Sequence, residues 1–197
     1  MSKRPDAQRL LKLQELLLRF SQIDRVVDRK HAGEFRAEND TEHSYNLAVT
    51  AMFLAPHFSH LDVNKLIQFS LVHDMVEIYA GDTYAFADAA TLESKAEREA
   101  AAQKKLSKEW SDFPLLNELV GSYEKRDSKE AAFIYALDKI MPIMQIFLNE
   151  GHTWKKENMT LGKLHVHKQA KLADSPEILE YYDQLFALLQ SRPELIS

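Results

Sequence analysis

The 197-residue chain contains no cysteine. That excludes disulfides and thiolate metal sites, so a metal held by this chain is held by His, Asp or Glu. The absence also suits a reducing, cytoplasmic compartment. Glycine and proline are scarce, at five and six residues. A protein of many short strands needs more turn residues than that. Almost no segment alternates apolar and polar residues with a period of two. The predicted fold class is therefore an all-α helical bundle, one domain over residues 1–197. No run approaches the ~18 apolar residues of a membrane span, and the opening Met1-Ser-Lys-Arg-Pro5 leads into no apolar stretch like that of a signal peptide. The net charge of −5 disfavours broad polyanion binding. The expected partner is thus a small molecule rather than nucleic acid or a membrane. A local basic site for one phosphate, and a homodimer, both remain open.

One absence is local. No Lys or Arg occurs between Lys65 and Lys95. Read as the end of a helix from about Val63 to Ala80, this stretch places Ser70, His73, Asp74 and Glu77 within one quadrant of the helical wheel. Its other residues are mostly apolar. A solvent-facing stripe normally carries cations, and this one has none. Buried unpaired carboxylates cost several kcal/mol and are normally neutralised. A divalent metal removes that penalty, and imidazole with carboxylate suits first-row metals. Glu77, one turn after His73, is placed to ligate or to act as an acid/base. Gly81 reads as the helix stop, with Asp82 following at a pocket rim. The plain alternative is a core histidine whose carboxylates pair with an arginine from elsewhere.

The remaining segments read mainly as helices. Residues 6–24 are amphipathic, with a stripe of Leu10, Leu13, Leu17 and Phe20 widened by Leu11, Leu16 and Leu18. Residues 28–39 are charged and aperiodic, which predicts a loop. Asp40-Thr41 offers an N-cap for a helix that opens on Glu42-His43-Ser44 and runs to about Phe58. His57 and His60 lie beyond a proline and are not assigned to the site. Residues 82–90 are acidic and aromatic, a loop over a pocket. Helices follow at 91–109, 113–123 and 128–149. In the last of these Asp138 stands inside a long apolar run, and Pro142 removes the hydrogen bond to the Asp138 carbonyl. Residues 149–160 read as a loop, followed by helices at 161–172 and 176–190. His165 and His167 are read as surface residues.

His43, the His73-Asp74 pair and Asp138 form an H…HD…D pattern on three predicted helices. This resembles the HD superfamily of metal-dependent phosphohydrolases. Glu38-Asn39-x-x-Glu42-His43-Ser44 and His73-Asp74-x-x-Glu77-x-x-x-Gly81-Asp82 resemble its bacterial 5′-deoxynucleotidase, oxetanocin-like, branch. The resemblance implies a helical bundle around a central buried metal. It implies that His43, His73, Asp74 and Asp138 ligate one divalent ion: manganese, cobalt, zinc, iron, nickel or magnesium. It further implies that Glu77 handles the proton of an attacking water, that Arg25, at the end of the first helix, holds the phosphate, and that Asp82 contacts the nucleoside. Val26 stands where the branch has an aromatic residue, Thr83-Tyr84-Ala85 lacks its proline, and the Arg25 to His43 spacing is longer. Arg36 is the second candidate for the phosphate cation.

The expected activity is hydrolysis of nucleoside 5′-monophosphates. With one metal, one Arg and an acidic rim from Asp82, the site matches a single dianionic phosphate. A triphosphate is repelled unless further basic residues arrive; none lie between Lys65 and Lys95, although Lys139 could approach from the Asp138 helix. Two other readings remain. One is a related phosphohydrolase acting on a cyclic nucleotide, a nucleoside triphosphate or an alarmone. The other is a binding module with a purely structural metal, against which Glu77 argues, since a structural site has no use for a further acid.

Overall fold

A computed structural model describes residues 4–196. Helix α1 (Ala7–Phe20) is capped by the Asp6 side chain and leads into an antiparallel hairpin of β1 (Asp24–His31) and β2 (Glu34–Asn39). The rest is helical: α2 (Asp40–Leu54), α3 (Val63–Val72), α4 (Glu77–Ala80), α5 (Ala89–Glu109), α6 (Pro114–Lys125) and α7 (Lys129–Leu148). The chain closes with α8 (His152–Lys156), α9 (Leu161–Leu172) and α10 (Pro176–Gln190). The all-α class holds, with the two-stranded hairpin as its one sheet among the described residues.

The hairpin corrects the loop expected at 28–39. Its two-residue turn is Ala32-Gly33, both at positive φ (50° and 93°), as a type I′ turn requires. Its register slips between Asp24 and Asp28, where four steps along β1 oppose two steps along β2. Such a bulge re-aims side chains. Here it carries Arg25, Val26 and Val27 toward the molecule's main cavity. Arg25 therefore sits on a strand rather than at the end of the first helix. The loop expected after residue 149 contains the short helix α8.

Two apolar clusters organise the helices. The larger surrounds α7, whose Ile134, Leu137 and Ile140 pack with Leu47 of α2, Leu66 of α3 and Ile178 of α10. The smaller joins Leu16 and Phe20 of α1 to Leu106 and Trp110 near the end of α5, and to Leu116 and Val120 of α6. The expected α1 stripe is only partly right. Leu10 and Leu17 are exposed, and the buried residues are Leu16 and Phe20, with Leu13 packed beside them. Helix α7 is long and apolar enough to cross a membrane by composition, but 56% of that window is buried in the larger cluster.

The segment expected as one helix from 63 to 80 is broken. Residues 73–76 form tight turns, with Met75 N–H donating to the Val72 carbonyl (3.1 Å) and Glu77 N–H to the Asp74 carbonyl (2.8 Å). The break lets one segment serve both clusters: Leu66 and Phe69 enter the larger, Met75, Val76 and Ile78 the smaller. In such a turn residues i and i+3 eclipse. Asp74 and Glu77 are thereby stacked on one side.

Candidate metal centre and cavity

Three elements deliver the metal-ligand candidates to one place. Helix α2 begins with a capping box, in which Asn39 accepts from the Glu42 N–H (3.0 Å) and Glu42 accepts from the Asn39 N–H (3.3 Å). Asn39 is thus the N-cap expected at Asp40. Asp40 lies one position inside the helix, fully buried, with His43 on the same turn. The turn at 73–76 presents His73 and Asp74, and the middle of α7 presents Asp138.

His43 Nε2 lies 2.9 Å from Asp138 Oδ1, and its Nδ1 lies 3.6 Å from Glu38 Oε2. His73 Nδ1 is 2.9 Å from the Ser70 carbonyl, which accepts only, so this nitrogen carries the proton. His73 Nε2 is thereby turned toward the carboxylates. It faces Asp74 Oδ2 at 2.9 Å and Asp138 Oδ1 at 4.0 Å, both acceptors, and it has no hydrogen-bond donor. Ligand atoms of His43, His73 and Asp138 all lie within 4.8 Å of one another. Without a metal, protons on the imidazoles offset the converging carboxylates; a divalent cation among these ligand atoms would take their place. The protonated faces of the imidazoles, against Ser70 and Glu38, fit the outer partners that orient metal-bound histidines.

A second acidic group adjoins the first. Asp40, Asp74 and Glu77 also bring carboxylate oxygens within 4.8 Å of one another. Arg25 Nη1 donates to both Asp40 Oδ1 (3.1 Å) and Asp74 Oδ2 (2.8 Å). One guanidinium does not neutralise three carboxylates. Burial and the Asp74 charge push Asp40 up to about 6, against the pull of Arg25. Burial and the charges of Asp74, Asp40 and Asp82 push Glu77 well above its ordinary value. Burial acts against Asp74 too, but the charge and hydrogen bond of His73, with Arg25, hold it below the usual carboxylate range. For His43, burial and Arg25 are outweighed by the hydrogen bond to Asp138 and by Glu38 at 3.6 Å, leaving it at about 9. The excess negative charge is what a divalent cation would offset.

The match to the HD domain family covers residues 25–179, and so runs from Arg25 past Asp138. The chain belongs to the HD domain family. A crystal structure of a predicted metal-dependent phosphohydrolase from Magnetospirillum magnetotacticum MS-1 superposes with a TM-score of 0.75 at 29% identity, over 96% of each chain. Among curated proteins, the chain is 36% identical to 5′-deoxynucleotidase HDDC2 of Bos taurus over 112 residues, 56% of this chain and 53% of that protein. It is 33% identical to the Xenopus laevis protein of the same name over 136 residues, 65% of this chain and 66% of that one. The chain spans about half the length of the mammalian relatives it matches.

In this HD domain the metal-ligand candidates open onto a cavity of about 660 Å³. Arg25, His73, Asp74, Glu77, Asp82 and Asp138 line it, and His43 lies beneath them, fully buried. Gly81, at φ 75°, ends α4 and turns the chain so that Asp82 reaches the wall. Arg36, the second candidate for the phosphate cation, is elsewhere. It grips Glu42, one nitrogen at 2.8 Å, because the third residue of α2 stands directly within its reach, and it does not line the cavity.

The cavity is more basic than its sequence suggested. Besides Arg25 and Lys139, it is lined by Lys95, Arg126, Lys168 and Lys171. The charge argument against a triphosphate therefore loses its premise. His167 was read as surface, yet it packs against Phe86 with ring centroids 4.6 Å apart and lines the cavity. His165 is half-buried and meets the Tyr182 hydroxyl at 2.9 Å. Sequence reasoning missed Asp40 and Glu38. The signal was present for Asp40: Asn39 followed three residues later by Glu42 is a capping-box pattern that moves Asp40 inside the helix.

Proposed function

We propose that this HD domain is a metal-dependent phosphomonoesterase acting on nucleoside 5′-monophosphates. His43, His73, Asp74 and Asp138 would hold one divalent cation. The observation that carries this reading is the convergence of His43, His73 and Asp138 ligand atoms within 4.8 Å, with His73 Nε2 facing Asp74 at 2.9 Å beside Arg25, on the floor of an open cavity. The relatives named as 5′-deoxynucleotidases and the phosphohydrolase neighbour support it. Bound there, a divalent cation supplies Lewis acidity that acidifies water and polarises a phosphoryl oxygen.

The chain's own residues do the rest. Arg25 uses Nη1 for Asp40 and Asp74, and Nη2 carries no hydrogen bond among the described residues. Nη2 is left to bind a phosphate oxygen and to offset charge as the ester breaks. Glu77 takes the proton of the attacking water as the P–O bond to the nucleoside 5′ oxygen cleaves. Its position in an acidic cluster makes it a strong proton acceptor once it is ionised. Asp82 accepts from a sugar hydroxyl, and Tyr84, Phe86 and Trp154 offer apolar wall for a base.

The test is phosphate release by purified protein across several divalent metals and a panel of 5′-monophosphates, 3′-monophosphates and 5′-triphosphates. Release from 5′-monophosphates is expected, with little from 3′-monophosphates. Strong triphosphate hydrolysis with inert monophosphates would overturn the substrate reading, and the added lysines make that comparison the decisive one.

A further inference from the structure

Helix α9 turns one face to the cavity. Leu164, His167, Lys168 and Lys171, spaced i, i+3, i+4 and i+7, all line it. Three of the cavity's other cations are already engaged. Lys139 Nζ donates to Asp138 Oδ2 at 2.6 Å, Lys95 pairs with Glu99 at 3.4 Å, and Arg126 lies over the Tyr135 ring at 4.5 Å. Lys168 differs from them. It is only 6% exposed, and among the described residues it forms no ion pair. Its single hydrogen bond runs from Nζ to the Lys139 main-chain carbonyl, at 2.6 Å. An ammonium has three donors, so two are left without acceptors.

A buried ammonium without a counter-ion costs free energy. The strain registers on the group itself: burial, then the neighbouring Lys139 charge, push Lys168 down to about 7 against the pull of Asp138. A single carbonyl bond does not account for retaining such a group on the buried face of α9, between Leu164 and Leu172. What would account for it is an anion arriving from the cavity side. Neutral acceptors, such as base carbonyls, would fill the two donors without balancing the charge.

We propose that Lys168 is a substrate-binding residue whose ammonium donates to an anionic phosphate oxygen of the ligand held in the cavity that Arg25 also lines. This deepens the phosphomonoesterase reading and rests on it for the identity of the ligand. It gives the phosphate a cation from α9 in addition to Arg25 on β1. The ligand would thereby tie the C-terminal helices to the hairpin.

The probe is inorganic phosphate, titrated calorimetrically into metal-loaded wild type, Lys168→Met and Lys168→Arg, with thermal unfolding of each. Lys168→Met keeps the apolar stem and removes the charge. Losing a charged hydrogen bond weakens phosphate binding roughly tenfold to hundredfold. The same variant should unfold at a higher temperature than wild type, because an unpaired buried charge is gone. Lys168→Arg should recover part of the phosphate affinity. A nucleotide KM that rises in step, with a smaller change in kcat, would support a binding role. Phosphate affinity unchanged in Lys168→Met would overturn the proposal. So would a variant that unfolds earlier and is not rescued by arginine, since that marks a structural lysine. Weakened binding of a phosphate-free nucleoside with intact phosphate affinity would assign Lys168 to the base instead, which also overturns it. Wild type that binds phosphate but hydrolyses no nucleotide would sink the proposed activity and leave Lys168 in place.

Discussion

Glu77→Gln separates the electrostatics of the acidic cluster from its chemistry. Glu77 Oε2 is buried and meets no donor. An unsatisfied buried acceptor costs about 1–3 kcal/mol, and more when charged. The amide of the variant is uncharged and brings two donors into a space shared with Asp40 and Asp74. For a protein of this size, 1 kcal/mol moves the unfolding midpoint by about 2–4 °C. Chelator-treated Glu77→Gln should therefore unfold about 2–12 °C above chelator-treated wild type at about pH 8. The sign follows from the raised carboxylate. The folded, metal-free protein holds the Glu77 proton more tightly than the unfolded chain does. Wild type thus loses stability as pH rises above the unfolded value of 4.5, and the advantage of the variant disappears as pH falls back toward it. With metal supplied the ranking inverts for activity. Loss of the proton acceptor should lower kcat roughly 10²–10⁴-fold while metal content stays at the wild-type level. Scanning fluorimetry with and without chelator, elemental analysis and steady-state phosphate release read all three quantities. A metal-free variant no more stable than wild type at about pH 8 refutes the electrostatic argument. Wild-type turnover removes Glu77 from proton transfer.

Other expectations follow from the same geometry. Protein purified without chelator should carry about one equivalent of divalent metal, and Asp138→Ala or His73→Ala should lose it; retention at the wild-type level in either would refute the ligand set. Arg25→Ala should keep the metal yet cut kcat/KM sharply, and, because Asp40 and Asp74 lose their shared partner, should cost about 3–5 kcal/mol in urea unfolding. Wild-type kcat/KM in that variant would exclude Arg25 from phosphate binding. Glu42→Gln keeps the capping-box acceptor but removes the charge facing Arg36, Arg29 and the helix N-terminus, and should cost about 0.5–1 kcal/mol. The Arg36 hydrogen bond holds Glu42 down to about 2, so its stabilisation is full above the ordinary 4.5 and is lost as pH falls toward 2. The acid limb of stability should flatten in the variant, and an unchanged limb would show that the pair contributes nothing.

The residues most legible in the sequence were polar side chains stranded on apolar helices. His73, Asp74 and Asp138 stood out because their neighbours are core residues and no cation is close in sequence, and His43 joined them through its place in the pattern. Their convergence is a matter of burial, which hydrophobic patterning encodes well. The hairpin was hidden for two physical reasons. Its turn uses Ala32-Gly33 rather than the Asn-Gly or Asp-Gly that would announce positive φ, and the slip in register places Val27 and Asp28 both in the interior, erasing the alternation of a half-buried strand. The break at residues 73–76 was invisible because Met75, Val76 and Ile78 keep the segment apolar while they change which cluster they enter. Glu38 looked like part of a charged loop. Only the folded chain shows it 1% exposed, accepting from Gln145 Nε2 at 2.6 Å behind His43. Lys168 sat in an amphipathic helix where any lysine reads as solvent-facing.

The hairpin also separates distance along the chain from distance in space. Arg25 and Asp40 lie fifteen positions apart yet are joined at 3.1 Å, and the Ile23 carbonyl accepts from the Asp40 N–H at 3.0 Å. The ribbon leaves and returns at one point. Residues added in pairs at the Ala32-Gly33 end would lengthen it outward and leave its base in register. The interval between the arginine and the first histidine is thus free to drift while their spatial relation is conserved. The same geometry marks that outer end as an attachment point for a fluorophore or an affinity handle, and marks the slipped stretch at residues 25–27 as the place where even a single inserted residue would disarm the cavity.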